Sequence, residues 1–177
     1  MRVLNILLVH HYYQVRGGED YCFEEEVNLL EERGHQVTKY VRHNDDIEQM
    51  SSLKVATTLF WSKQAQLDIR KLIELHSIDL VHVHNSFPLI SPSIYSEANR
   101  AGIPVVQTLH NYRMACANGL FLRGGQVCES CLGRDFGLKG VVHGCYRGSR
   151  MASAMVASMN AAHRFIGTWE QKVSCYI

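Results

Sequence analysis

The chain has 177 residues, 46% of them hydrophobic and 20% charged, with a formal net charge of +1 at pH 7. That length suits one domain with a buried core, and the composition excludes a disordered or fibrous chain. The near-neutral balance argues against a dedicated nucleic-acid binder, whose basic face would show as an excess of Lys and Arg.

Residues 2–9 form a continuous apolar run, as in strands buried on both faces, and end in His10, His11, Tyr12 and Tyr13. The run lacks the flanks and cleavage pattern of a secretory signal, and nothing in the chain approaches the roughly 20 apolar residues of a membrane span. The expected compartment is the cytoplasm, with peripheral contact to the inner face of a membrane left open. A loop carrying Gly17 and Gly18 follows, then a helix over residues 19–33 with Glu19 and Asp20 at its positive end. Phe23, Val27, Leu29 and Leu30 give that helix an apolar side, Gly34 closes it, and residues 35–41 read as the second strand. Short helical segments over 45–50 and 53–60 precede a better helix over 62–75. Residues 78–83 form a third strand, residues 93–100 a helix that Gly102 closes, and residues 103–109 a fourth strand. This order predicts an α/β fold: a Rossmann-like, mostly parallel sheet with helices on both faces.

From His110 to about Gly148 no period is visible, which marks an insertion over residues 111–148 held by function or by cross-links. A helix over 149–163, a short fifth strand over 164–167, a turn over 169–172 and another strand from Val173 complete the reading. A chain that stops inside an apolar strand-like run reads as the first part of a longer protein.

Three strand ends deliver polar groups to one edge of such a sheet: His10 and His11 after the first, His84 and Asn85 after the third, His110, Asn111 and Arg113 after the fourth. In a parallel sheet this carboxyl edge is where ligands bind. The amides around Gly17 and Gly18 at a helix start suit a phosphate or another anion. The loop is not G-x-G-x-x-G, and neither a Walker lysine nor a G-x-S-x-G elbow is present, so dehydrogenase, P-loop and α/β-hydrolase readings fall away. Cys116, Cys128, Cys131 and Cys145 form C-x11-C-x2-C-x13-C, a set that one structural zinc ion could bind; a disulfide or redox pair, or unlinked thiols, are the other readings. His143 could replace one of the four. Cys22 and Cys175 read as core residues. Arg134, Lys139, Arg147 and Arg150, opposed only by Asp135, make residues 134–150 locally basic, a solvated face or a contact for an anionic acceptor or lipid headgroup.

Gly17-Gly18-Glu19, the segment from Asp79 to Asn85 and the segment from Thr108 to Arg113, in that order on the expected strands, resemble the N-terminal, acceptor-side domain of the GT-B glycosyltransferases of family 4. The cysteine loop is similar to one in a bacterial subset of that family. The resemblance covers essentially the whole chain and implies one half of a GT-B fold, with the C-terminal nucleotide-sugar-binding domain absent from this chain. It also implies retaining transfer of a sugar from a nucleotide-sugar donor to a glycan or lipid-linked acceptor, as in polysaccharide biosynthesis, without a catalytic metal. By resemblance His110 contacts the transferred sugar as the catalytic-site residue. Gly17 and Gly18 approach the donor phosphates or the acceptor, His84 and Asn85 line the acceptor side, and Asn111 and Arg113 are candidates for binding the donor phosphates or the acceptor. The missing second domain implies that this piece folds but does not transfer sugar alone. A zinc-stabilised binding module without chemistry, or half of a nucleotide-sugar isomerase, are the competing readings.

Overall fold

The computed structural model describes residues 2–133 and 137–177, which fall into two compact units, residues 1–110 with 168–177 and residues 111–167. In the first unit, β1 (Asn5–Tyr12), α1 (Gly18–Glu32) and β2 (Gln36–His43) are followed by a 3-10 turn over Asn44–Gln49 and by α2 (Ser52–Phe60) and α3 (Lys63–His76). Then come β3 (Leu80–Val83), α4 (Ser93–Arg100) and β4 (Val105–Gln107). The second unit holds the hairpin β5 (Leu122–Arg123) and β6 (Gln126–Val127), the short α5 (Leu138–Val142) and α6 (Arg150–Phe165). The chain closes in the first unit with α7 (Thr168–Gln171) and β7 (Cys175–Tyr176).

The sheet of the first unit is parallel throughout and ordered β2-β1-β3-β4-β7. Alternation along its strands divides the core in two. Leu7, Val9, Val81, Val83 and Val105 point to the face covered by Ala65 and Ile69 of α3 and Ile94, Tyr95 and Ala98 of α4. Ile6 and Leu8 point the other way, onto Phe23 and Val27 of α1, with Leu80 at the margin. Polar staples fasten the larger layer. Ser62 caps α3 by accepting from Ala65 N at 3.2 Å, its own amide donates to Ser91 Oγ at 2.8 Å, and its carbonyl accepts from Ser93 Oγ at 3.1 Å. Glu97 of α4, fully buried, is held by Arg70 of α3 at 2.7 and 3.1 Å and by Arg100. The second unit is braced within itself: Ser149 caps α6, and Asn160 of α6 donates to Arg113 O.

Three expectations need correction. The first strand does not stop at Val9; it continues through His10 and His11 to Tyr12, because the imidazoles are buried and paired in register with β2 rather than exposed. Residues 164–167 are not a strand. They finish α6 and its Gly167 stop at φ 68°, so the fifth strand of the sheet is β7, added beside β4. Cys22 and Cys175 are exposed, not core: Cys22 stands on α1 beside His84 and His110 at the open edge of the sheet, and Cys175 lies on the edge strand β7.

Candidate functional site

The period of two that sorts the core also builds the site. On the α1 side of the sheet the apolar series Ile6, Leu8 in β1 gives way one step later to His10, and Leu80 in β3 gives way to His82 and then His84. All three imidazoles therefore face α1 near the carboxyl edge of the sheet. The helix answers with acidic side chains spaced along that face. Asp20 Oδ1 lies 2.7 Å from His10 Nε2, both fully buried, while its Oδ2 accepts the Gly17 amide at 2.8 Å. Glu26 spans two histidines, with Oε1 2.8 Å from His82 Nδ1 and Oε2 3.2 Å from His84 Nε2. His82 Nε2 meets Thr108 Oγ1 at 2.8 Å, and His84 Nδ1 faces His110 Nε2 at 3.1 Å. Asn85 turns inward: its amide donates to His11 O at 3.0 Å and its carbonyl accepts the Phe87 amide.

One tautomer assignment fits most of this chain: His82 Nδ1 donates to Glu26 and His84 Nδ1 accepts from His110, while His84 Nε2, 3.2 Å from Glu26, has no aligned hydrogen-bond partner among the described residues. The electrostatics agree. Burial, helped by the neighbouring His84 and His10, brings His110 down to about 4, so its ring is uncharged at neutral pH. Burial would raise Glu26, but the His82 and His84 contacts outweigh it and hold the carboxyl at about 2. Burial lowers His10 against the opposing pull of Asp20, and it brings His11 to about 4, with His10 adding to the effect. His11, on the opposite side of β1 from His10, is fully buried with no partner on either ring nitrogen among the described residues.

The structure thus brings His84 and His110 together and adds Glu26, His82, Asp20 and Thr108, which the strand-end reading did not select. The signal for His82 was present, since residues two apart in a strand share a face; a single glutamate in mid-helix carries none until the helix is seated. Gly17 and Gly18 stand at the start of α1, with open space where a side chain would project, so neither is required by packing. The Gly17 amide is already engaged by Asp20. Asn111 and Arg113 fall in the second unit, where Asn111 Oδ1 accepts the Arg113 amide at 3.0 Å and Arg113 donates to Ala117 O at 3.3 Å.

None of the six cysteines is in a disulfide. Cys145 is pushed up by burial and then by Cys116. Among the described residues, however, the groups whose three ligand atoms all lie within 4.8 Å of one another are Cys22, His84, His110 and Glu26, His82, His84. Of the basic stretch, Arg134 and Asp135 lie outside the described residues; Arg150 donates to Val142 O and Arg147 lies over the Tyr146 ring. Among the described residues no helix is long and apolar enough to cross a membrane.

Comparison with known proteins adds the following. No curated protein matches the sequence. The solved S. aureus MnaA–UDP co-structure is similar at 12% identity and a TM-score of 0.44, over 97% of this chain and 43% of that one, so the chain spans less than half of that protein's length. The family model described as Glycosyltransferase Family 4 matches residues 16–167, which include Gly17, Gly18, the Glu26 carboxylate and the histidines His82, His84 and His110. The chain belongs to glycosyltransferase family 4.

Proposed function

We propose that this chain supplies the acceptor-side half of a GT-B glycosyltransferase, retaining anomeric configuration, in which His84 and His110 form one wall of the sugar-transfer cleft. The observation that carries the reading is the 3.1 Å pairing of His84 with His110 at the carboxyl edge of a parallel sheet, braced from behind by Glu26, in a chain of this family. Transfer breaks a sugar C–O bond to a nucleotide diphosphate and forms one to an acceptor hydroxyl, so the protein must orient the sugar and offset charge on the leaving group. A neutral imidazole on a fixed support is suited to orienting the sugar, because His110 can exchange hydrogen bonds with sugar hydroxyls without a buried charge of its own. The open space before Gly17 and Gly18 at the start of α1 suits a diphosphate or an anionic acceptor. In this reading the acceptor is a glycan or lipid-linked sugar met at the cytoplasmic face of a membrane, and most donor contacts come from a second domain.

The test uses full-length protein and a panel of nucleotide sugars with and without lipid-linked acceptors. His110→Ala is expected to lower turnover by about 100-fold, the scale of removing one oriented polar group from a transition state, while leaving the melting temperature within a few degrees. Unchanged turnover with an unchanged donor KM would remove His110 from the cleft. Product formed without any acceptor would replace transfer by isomerisation.

A further inference from the structure

We propose that Cys22, His84 and His110 form a binding site for a single zinc-class divalent cation, with Glu26 orienting His84 from behind. One ligand atom from each of Cys22, His84 and His110 lies within 4.8 Å of the other two. The two ring nitrogens, His84 Nδ1 and His110 Nε2, face each other at 3.1 Å. Two ligands of one tetrahedral zinc ion, each about 2.0–2.1 Å from it, stand roughly 3.3 Å apart, so the imidazoles already hold an edge of the tetrahedron.

The surroundings make this a supported site and not a chance encounter of side chains. His84 is buried at the end of a central strand, and its other nitrogen, without an aligned hydrogen bond in this structure, lies 3.2 Å from the Glu26 carboxylate, within reach of the carboxylate–histidine support that metal-bound imidazoles use. Glu26 and Cys22 are one helical turn apart on α1, so the helix that orients His84 also presents the thiol. Glu26 is kept in place by His82, which has both nitrogens engaged, by Glu26 and by Thr108. That engagement favours the Cys22 group over the Glu26, His82, His84 group as the place for an ion. Cys22 is exposed, which leaves a path of entry from solvent.

Two nitrogens and one sulfur select zinc, cobalt or a similar borderline ion over magnesium or calcium, which take oxygen. On binding, the proton between the two rings moves to His110 Nδ1, the Cys22 thiol releases its proton to solvent, and both freed lone pairs pass to the cation. One proton leaves per ion bound. Three protein ligands leave the fourth position to water or an anionic oxygen. The inference goes beyond the glycosyltransferase reading and has its own readout, because ion binding is measured without turnover.

The purified, chelator-treated protein is titrated with Co2+ and followed by absorption, then displaced with Zn2+ and challenged with excess Mg2+. The expected result is a tetrahedral cobalt spectrum with a thiolate charge-transfer component, displaced by Zn2+ and unaffected by Mg2+. Cys22→Ser and His110→Ala each remove one cobalt ion or weaken its binding by about 100-fold, Glu26→Gln weakens it by about 10- to 100-fold, and the loop variant Cys128→Ser retains the ion in the first unit. The proposal fails if Cys22→Ser and His110→Ala bind as many cobalt ions as the parent with equal affinity, or if the parent binds none. Because Cys22 is exposed, its serine variant tests the site without disturbing the core.

Discussion

His10, His11 and His110 share one physical condition: burial lowers the pKa of each, against the pull of Asp20 for His10, and His11 and His110 reach about 4. A histidine whose pKa is lower folded than unfolded binds protons preferentially in the unfolded chain, so its contribution is present above about 6.5 and is lost as pH falls towards 4. Each such group costs about 1.4 kcal/mol per pH unit within that window. Glu26 and Glu97, both held at about 2, have the same sign at lower pH, losing their contribution from about 4.5 down to 2. Thermal melts followed by circular dichroism are therefore expected to fall between pH 7 and pH 4.5, before ordinary carboxylates titrate. His11→Asn should flatten that fall; an unchanged slope would show that His11 is not the buried neutral group described. The sequence made His84 and His110 legible as polar groups at strand ends. It misplaced His10 and His11 outside the strand, because a polar residue reads as a surface signal until its burial is known, and the Asp20 that pairs with His10 lies ten residues on.

At the level of elements, period and capping carried the reading of α1, α3 and α4 to within a residue or two. Ser62, read as the first residue of a helix, is its cap. Removing the hydroxyl from Ser62 unbinds the Ala65 amide, and Ser62→Ala is expected to cost about 1 kcal/mol, measured as a shift in the urea midpoint at constant slope. A cost near zero would mean that water replaces the cap. The elements of residues 111–148 were not legible, since two-residue strands and a five-residue helix have no period to detect, whereas α6 was read as a helix over 149–163. Their course depends on turns at Gly119, Gly124 and Gly125, all at positive φ, whose glycines a sequence marks only as a loop.

Across the whole chain, the contrast is between a unit built on a five-stranded sheet and one with a single two-stranded hairpin. β1 is paired on both sides and its residues 6–11 are buried, while the residues of β5 and β6 are exposed. Local opening free energies follow such differences. Hydrogen exchange is therefore expected to be slowest at the amides of β1 and faster by orders of magnitude at the β5–β6 turn. Comparable protection at both would show that the second unit is as firmly held as the sheet. The α/β class was legible because alternating strands and helices announce it. The division into two units was not, because nothing in the local pattern of residues 111–167 separates an insertion from a unit that also claims α6.

The histidine row also governs the pairing of strands. His10, His82 and His84 follow Ile6, Leu8 and Leu80 on the α1 side, while Leu7, Val9, Val81 and Val83 fill the other. A slip of β1 by one residue would turn His10 away from α1, towards the side of Leu7 and Val9, and strand the Asp20 carboxylate without its ring. An apolar strand sliding past another loses little, whereas this one would lose the buried His10–Asp20 contact. The residues that present the chemistry thereby act as a check on assembly, permitting the sheet to close in one register and rejecting its neighbours.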